Sequence, residues 1–571
     1  MQLKGLLFLI LIPILVTGCG SESSNNASGV SKLVASQRCM DLSCHGALVS
    51  PGTGDVIAQE WLASTHNTQN GAGCADCHEP DAGHPNLCNK CHGGGGFEVT
   101  RNPDTAGNCG KCHGLSFPSD LMVRLAPQHF GNMTASELNI KYRASYVSSR
   151  YMNNCTYCHN PHDTGSAIAT ARQWAQSPHG NTKAGAYAAY DFKTRGSALP
   201  MSTSFEANCV RCHTTTGFLN FVESGFLDVH AWGKGTDKTK EVTGCNACHD
   251  NGAGRSYGYQ VRSVPPARIY YNYSSAKTFP TVKLNNSATV YPDAGPSNVC
   301  MPCHTGRGIG RMIKDAAALG LNFANANSPG AHYRAAGANL FQVSGYEFET
   351  RSYLNPQFLH SSIGISNTRG TGTKGPCIAC HLASDSSHLF LPVTLDDSKV
   401  ITGVISETCA DCHDGSFQPS HSAASLQAEK AGYAAALAVL NLLKTGKSTS
   451  TNWDSFSPGN GANTMGASFN YSLLAADPGA FAHNPLYTKR LIYDSIDWIS
   501  DGFLDGDVEA AANSAVLTPN ATTGLVSLSN PITKVAYFPA QAAGSVSATA
   551  LAQVKSDAII YLLGSTGGVR P

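Results

Sequence analysis

The chain has 571 residues, room for three or four average domains, and its 42% hydrophobic and 14% charged composition excludes a disordered or fibrous chain. Lysine plus arginine equal aspartate plus glutamate at 39 each, so no basic surplus exists to neutralise phosphates, and nucleic acid is excluded as a partner class. What departs from an ordinary globular composition is the content of 21 cysteines and 21 histidines.

At the N-terminus, Met1-Gln2-Leu3-Lys4 leads into an apolar run from Leu6 to Val16, followed by Thr17-Gly18-Cys19. The run is too short to cross a bilayer and has the length of a signal-peptide core. Leu15-Val16-Thr17-Gly18-Cys19 resembles the lipobox of bacterial lipoproteins, which implies a signal peptide over residues 1–18 and lipidation of Cys19 as a membrane anchor. The alternative is an ordinary cleaved signal with an incidental cysteine. Residues 19–38, rich in Ser, Asn and Ala, predict a flexible tether. No later stretch reaches spanning length, so the rest of the chain is expected outside the cytoplasm.

The other twenty cysteines sort without remainder. Nine pairs have two intervening residues and a histidine directly after the second cysteine: Cys74/Cys77-His78, Cys88/Cys91-His92, Cys109/Cys112-His113, Cys155/Cys158-His159, Cys209/Cys212-His213, Cys245/Cys248-His249, Cys300/Cys303-His304, Cys377/Cys380-His381 and Cys409/Cys412-His413. A tenth, Cys39/Cys44-His45, has four intervening residues. Cys-x-x-Cys-His is the attachment signature of c-type haem: two thiols bond the vinyl groups and the adjacent histidine is carried under the ring to the iron. Disulfides or zinc sites also use closely spaced cysteines, but neither needs a histidine after every second cysteine. Haem c is therefore expected at all ten motifs, with a local disulfide as the alternative at Cys39/Cys44.

Eleven histidines lie outside the motifs: His66, His84, His129, His162, His179, His230, His332, His360, His388, His421 and His483. Ten irons with histidine on both faces need ten of them, and the spare is expected among His84, His421 and His483. Trp61-Leu-Ala-Ser64-Thr-His66 and Trp174-Ala-Gln-Ser177-Pro-His179 are near copies. Each predicts a short helix delivering its histidine to an iron while the indole packs on a porphyrin. His162 is expected to reach a neighbouring haem, since His159 already serves its own.

Ten attachments within residues 39–413 leave roughly 37 residues each, too few to wrap every ring in its own domain. The expected fold is a multihaem cytochrome c: irregular loops and short α-helices around a haem stack over residues 39–424, with covalent links replacing much of an apolar core. Ile269-Tyr-Tyr-Asn-Tyr273, Val282-Lys-Leu284 and Thr289-Val-Tyr291 predict a small β insertion over about 265–295. Residues 425–571 read as a helical, haem-free cap. Leu426 to Leu443 predicts a helix with Ser425 as N-cap, and Pro485 to Ile499 another, capped by Asn484 and stopped by Gly502. Asp501, Asp505 and Asp507 read as a solvated turn rather than a calcium loop, and Asp557 to Leu563 as a last short helix or strand.

The chain resembles the large periplasmic and outer-surface multihaem c-type cytochromes of metal-reducing bacteria such as Geobacter. Besides the motifs, the resemblance rests on Gly330-Ala-His332-Tyr-Arg-Ala-Ala-Gly337, Phe358-Leu-His360, Glu429-Lys-Ala-Gly-Tyr433, Asp477-Pro-Gly-Ala-Phe-Ala-His483-Asn-Pro-Leu-Tyr487 and Thr488-Lys-Arg-Leu-Ile-Tyr-Asp-Ser-Ile-Asp-Trp498. It implies dissimilatory or extracellular electron transfer by a lipoprotein at the outer membrane, passing electrons to other cytochromes, porin conduits or metal oxides. A carrier is favoured over a catalyst, because two histidines saturate an iron. The alternatives are a reductase of nitrogen or sulfur oxyanions with one open iron, and a polymerised cytochrome filament.

Overall fold

The computed structural model describes residues 31–42, 45–50, 55–68, 72–75, 144–145, 162, 169–181, 199–200, 207–229, 240–250, 260–271, 288–332, 334–355, 360–367, 370–383, 387–447, 451–564 and 568–571. Cys19, Cys44, Cys77, Cys88, Cys91, Cys109, Cys112, Cys155 and Cys158 lie outside the described residues, as do His78, His84, His92, His113, His129, His159, His230 and the segment 282–284. The chain divides into two compact units, one of residues 1–124 with 153–172 and one of residues 125–152 with 173–571.

In the first unit the stretch expected as a tether ends in a helix, Lys32–Gln37, whose first turn is capped by the Ser31 hydroxyl accepting the Leu33 N–H at 3.2 Å. Ser36 on this helix is buried and accepts the Cys74 N–H at 3.0 Å, which ties the segment to the second haem motif. Two further helices, Ile57–Ala63 and Thr65–Thr68, are separated by extended Ser64.

The second unit is rich in helices, and its described strands form six two-stranded ladders. In the β insertion, Arg268–Ile269 pairs antiparallel with Thr289–Val290. The core runs without a break from Trp174 to the C-terminal helices, so residues 425–571 belong to the same compact unit as residues 173–424. At its centre lies helix Ala423–Lys444. Leu437 and Leu440 are buried as the periodicity predicts, but so are Ala434, Ala435, Ala436, Ala438 and Val439, because neighbours surround this half of the helix. Small side chains let those neighbours approach: a Cβ on Gly432 would come within 2.8 Å of Tyr561.

The N-cap of this helix is Ser422 rather than Ser425. Ser422 accepts the Ser425 N–H at 3.1 Å, and the Ser425 hydroxyl accepts the Ser422 N–H at 2.9 Å, closing a capping box. Helix Pro485–Asp501 keeps its expected signals, with Asn484 accepting the Tyr487 N–H and Gly502 at φ 93° ending it. The last helix, Ala548–Leu563, begins nine residues before Asp557, capped by Ser547. Asp501 and Asp505 accept the N–H groups of Phe503 and Asp507, two residues on in each case, which are turn contacts. Among the described residues no helix is long and apolar enough to cross a membrane.

Candidate functional site

Residues three apart on a helix share a face, so Cys-x-x-Cys wound as helix presents both thiols on one side. Four motifs of the second unit do this, on helices Ala207–His213, Cys245–Cys248, Pro376–His381 and Glu407–Cys412, and in the fifth Cys300 is the N-cap of helix Met301–His304 in the same helical conformation. Their cysteines form no disulfide and are half-buried. Each turn is closed by the motif's own backbone, the His304 N–H donating to Cys300 O at 3.1 Å and the His413 N–H to Cys409 O at 2.8 Å. Despite its two extra residues, the first motif keeps this bond: the His45 N–H donates to Cys39 O at 3.2 Å, and the Gly46 N–H donates to Asp41 O at 2.9 Å.

Each of these five motif histidines faces one histidine from a distant part of the chain. Ring centroids lie 6.1 Å apart for His304 and His179, 6.3 Å for His213 and His332, and 6.2 Å for His249 and His388. The separation is 6.2 Å for His413 and His360 and 6.2 Å again for His381 and His483. A metal–imidazole bond is roughly 2 Å and the ligating nitrogen lies about 1 Å from its ring centroid, so two imidazoles trans on one metal stand roughly 6 Å apart. Interplanar angles run from 25° to 78°, a spread that rotation about a shared axis allows. The donor set and its spacing therefore fit an iron porphyrin held on both faces. His421 differs, with its centroid 4.2 Å from that of His413, too short to admit a metal ion between the rings. His45, His66 and His162 belong to the first unit, whose other motif histidines lie outside the described residues.

Ring orientation follows from the second nitrogen. A carbonyl can only accept, so Nδ1 is the donor in His360 to Ala482 O at 2.7 Å, His381 to Phe390 O at 2.8 Å and His413 to Pro419 O at 2.9 Å. Nε2 is left with its lone pair for a metal. His483 instead sets Nδ1 3.1 Å from the Asp477 carboxylate. Burial holds His304 down at about 3 and His179 and His332 at about 4, and lowers His213, His360, His381 and His388 as well. Neutral imidazole is the ligating form.

The two Trp-x-x-Ser-x-His units share one local structure. Trp61 donates its indole N–H to Ala72 O and Trp174 to Thr243 O, each at 3.0 Å, while Ser64 and Ser177 each donate to their tryptophan's carbonyl at 2.7 Å. Ala72 and Thr243 both stand two residues before the first cysteine of a motif, Cys74 and Cys245. Each unit thus clamps the entry to a haem motif.

The sequence reading missed the contacts between motifs and their buried cation. The Cys212 thiol donates to Pro302 O at 3.9 Å and the Cys303 thiol to Arg211 O at 3.6 Å, while the Ile378 N–H donates to Ser297 Oγ at 3.0 Å, so three motifs meet. Arg211, 0% exposed, donates to Gly306 O at 3.2 Å and lies over Phe221, and its Nε and Nη1 have no hydrogen-bond partner among the described residues.

Residues 84–258 match the family model of outer membrane cytochrome MtrC/MtrF-like domains II/IV. Two C-type polyheme cytochromes OmcB, from Geobacter sulfurreducens strains DL-1/KN400 and ATCC 51573, are each 33% identical over 473 residues, covering 69% of this chain and 62% of theirs. C-type polyheme cytochrome OmcC of the latter strain is 37% identical over 362 residues, or 55% of this chain and 45% of that one. The chain thus spans less than two thirds of the length of these relatives. No solved structure matches it.

Proposed function

Because the chain is a multihaem c-type cytochrome of the outer-membrane type, we propose that it is an electron conduit of ten haems c, carrying electrons between partner cytochromes or porin conduits and an extracellular acceptor such as a metal oxide. The observation that carries this reading is the set of five opposed histidine pairs at 6.1–6.3 Å. In it, His179, His332, His388, His360 and His483 are the distal ligands opposite His304, His213, His249, His413 and His381. The other five motifs draw on His66, His84, His129, His162 and His230, which leaves His421 as the spare. When bound, haem c supplies a one-electron ferric/ferrous couple.

The chain's own part is to fill both axial positions, exclude water and hold neighbouring attachment points together. A histidine on each side leaves no place for substrate, which favours a wire over a catalyst. The bonds of Cys212 to Pro302, of Cys303 to Arg211 and of Ile378 to Ser297 bring three attachment sites side by side, as transfer between successive groups requires. Arg211, a buried cation with two donors that meet no acceptor among the described residues, suits a group that carries carboxylates. Residues 1–18 act as a signal peptide and Cys19 as the lipid anchor at the outer membrane.

Electron paramagnetic resonance of the fully oxidised, haem-quantified protein tests this reading. A wholly low-spin spectrum is expected. A high-spin ferric signal amounting to one haem would overturn it in favour of an enzyme with an open iron.

A further inference from the structure

Among the described histidines with a resolved Nδ1 partner on a motif axis, three donate to backbone carbonyls, which are neutral. His483 alone faces a carboxylate, and its surroundings are built around that contact. Asp477 is 3% exposed; its Oδ1 accepts the Gly479 N–H at 3.1 Å and its Oδ2 lies 3.1 Å from His483 Nδ1. Gly479 lets the ring lie there, since a Cβ at that position would stand 2.8 Å from His483 Cε1.

We propose that Asp477 is a positioning residue that lowers the reduction potential of the haem of the Cys377/Cys380 motif. A hydrogen bond to an anion makes His483 a stronger donor than a bond to a carbonyl would, and a stronger donor favours ferric over ferrous iron. Electrons then reside on this haem less than they would with a neutral partner on His483. The inference rests on the ligand reading above.

The test is potentiometric titration of the full-length holo-protein, followed by visible absorption and by paramagnetic resonance of poised samples, for wild type, Asp477→Asn, Asp477→Glu and His483→Ala. In Asp477→Asn a one-haem fraction of the amplitude should titrate at higher potential and one low-spin signal should shift, with haem content and the other midpoints unchanged. Asp477→Glu, which keeps the charge, should return toward wild type. If His483→Ala creates one high-spin haem while Asp477→Asn titrates as wild type, the ligand reading stands and the tuning role is wrong. If His483→Ala leaves every haem low-spin, the ligand reading at this axis and the tuning role fall together. Should Asp477→Asn not fold, Asp477→Ser carries the same expectation.

Discussion

A buried imidazole keeps its lone pair by resisting protonation, and this ties stability to pH. His304 is held at about 3 and His179 and His332 at about 4, against 6.5 for an unperturbed histidine, with burial the largest cause in each. Between pH 6.5 and 4 the unfolded chain binds protons that the folded chain does not, so this stability is complete above pH 6.5 and is lost as pH falls toward 4. Ligation to iron opposes protonation in the same direction. The thermal midpoint of the holo-protein should therefore fall across that window together with its low-spin spectrum. A midpoint flat from pH 7 to 4 would count against neutral, buried ligands. The motif cysteines and histidines were legible in the sequence because bond formation dictates their order and spacing. The partner of each motif histidine was not, since it arrives through tertiary folding. His483 stood among the expected spares, yet it faces His381. Its local signals were Asp477 and Gly479, and their meaning depends on the fold that turns them toward the ring.

At the scale of elements, the two tryptophan units were legible as a repeat because residue type and spacing recur. The sequence did not reveal the receiving carbonyls, Ala72 and Thr243, which in the second unit lie 69 residues away. Trp174→Phe keeps most of the apolar surface and removes the N–H, leaving Thr243 O without that donor. It should cost about 1–3 kcal/mol of stability by denaturant titration, and an unchanged midpoint would make the clamp incidental. Among helices, Pro485–Asp501 could be read from its cap and its glycine, whereas the first half of Ala548–Leu563 carries small residues with little amphipathic pattern. The hairpin Val526–Ser529 with Ala536–Gln541 was overlooked although Val526 and Leu528 alternate with exposed serines. Four residues are a weak periodic signal.

Taken as a whole, the second unit joins its motif region to its C-terminal helices through buried polar contacts as well as apolar ones. Asp494, 0% exposed on helix Pro485–Asp501, receives both forks of the Arg570 guanidinium at 2.7 and 2.6 Å and the Tyr353 hydroxyl. Removing one partner of such a pair strands the other charge, so Arg570→Met should destabilise by about 3–5 kcal/mol, whereas Asp494→Leu with Arg570→Met should recover most of that loss. Comparing the two denaturation midpoints checks it; equal losses in both would assign the effect to packing. Composition sets residues 425–571 apart as a haem-free cap, because they hold no cysteine. Their place in the core was hidden, since sharing a core depends on which faces meet rather than on content.

The five histidine pairs have an order along the chain that none of them shows singly. Residues 179 and 304, 213 and 332, 249 and 388, 360 and 413, and 381 and 483 span overlapping intervals, so that no peptide bond from 179 to 483 can be cut without separating at least one pair. Deletion or recombination inside this stretch has no neutral seam. A lineage could gain or lose modules at the flanks of the interlock, but the interlock itself must be inherited whole.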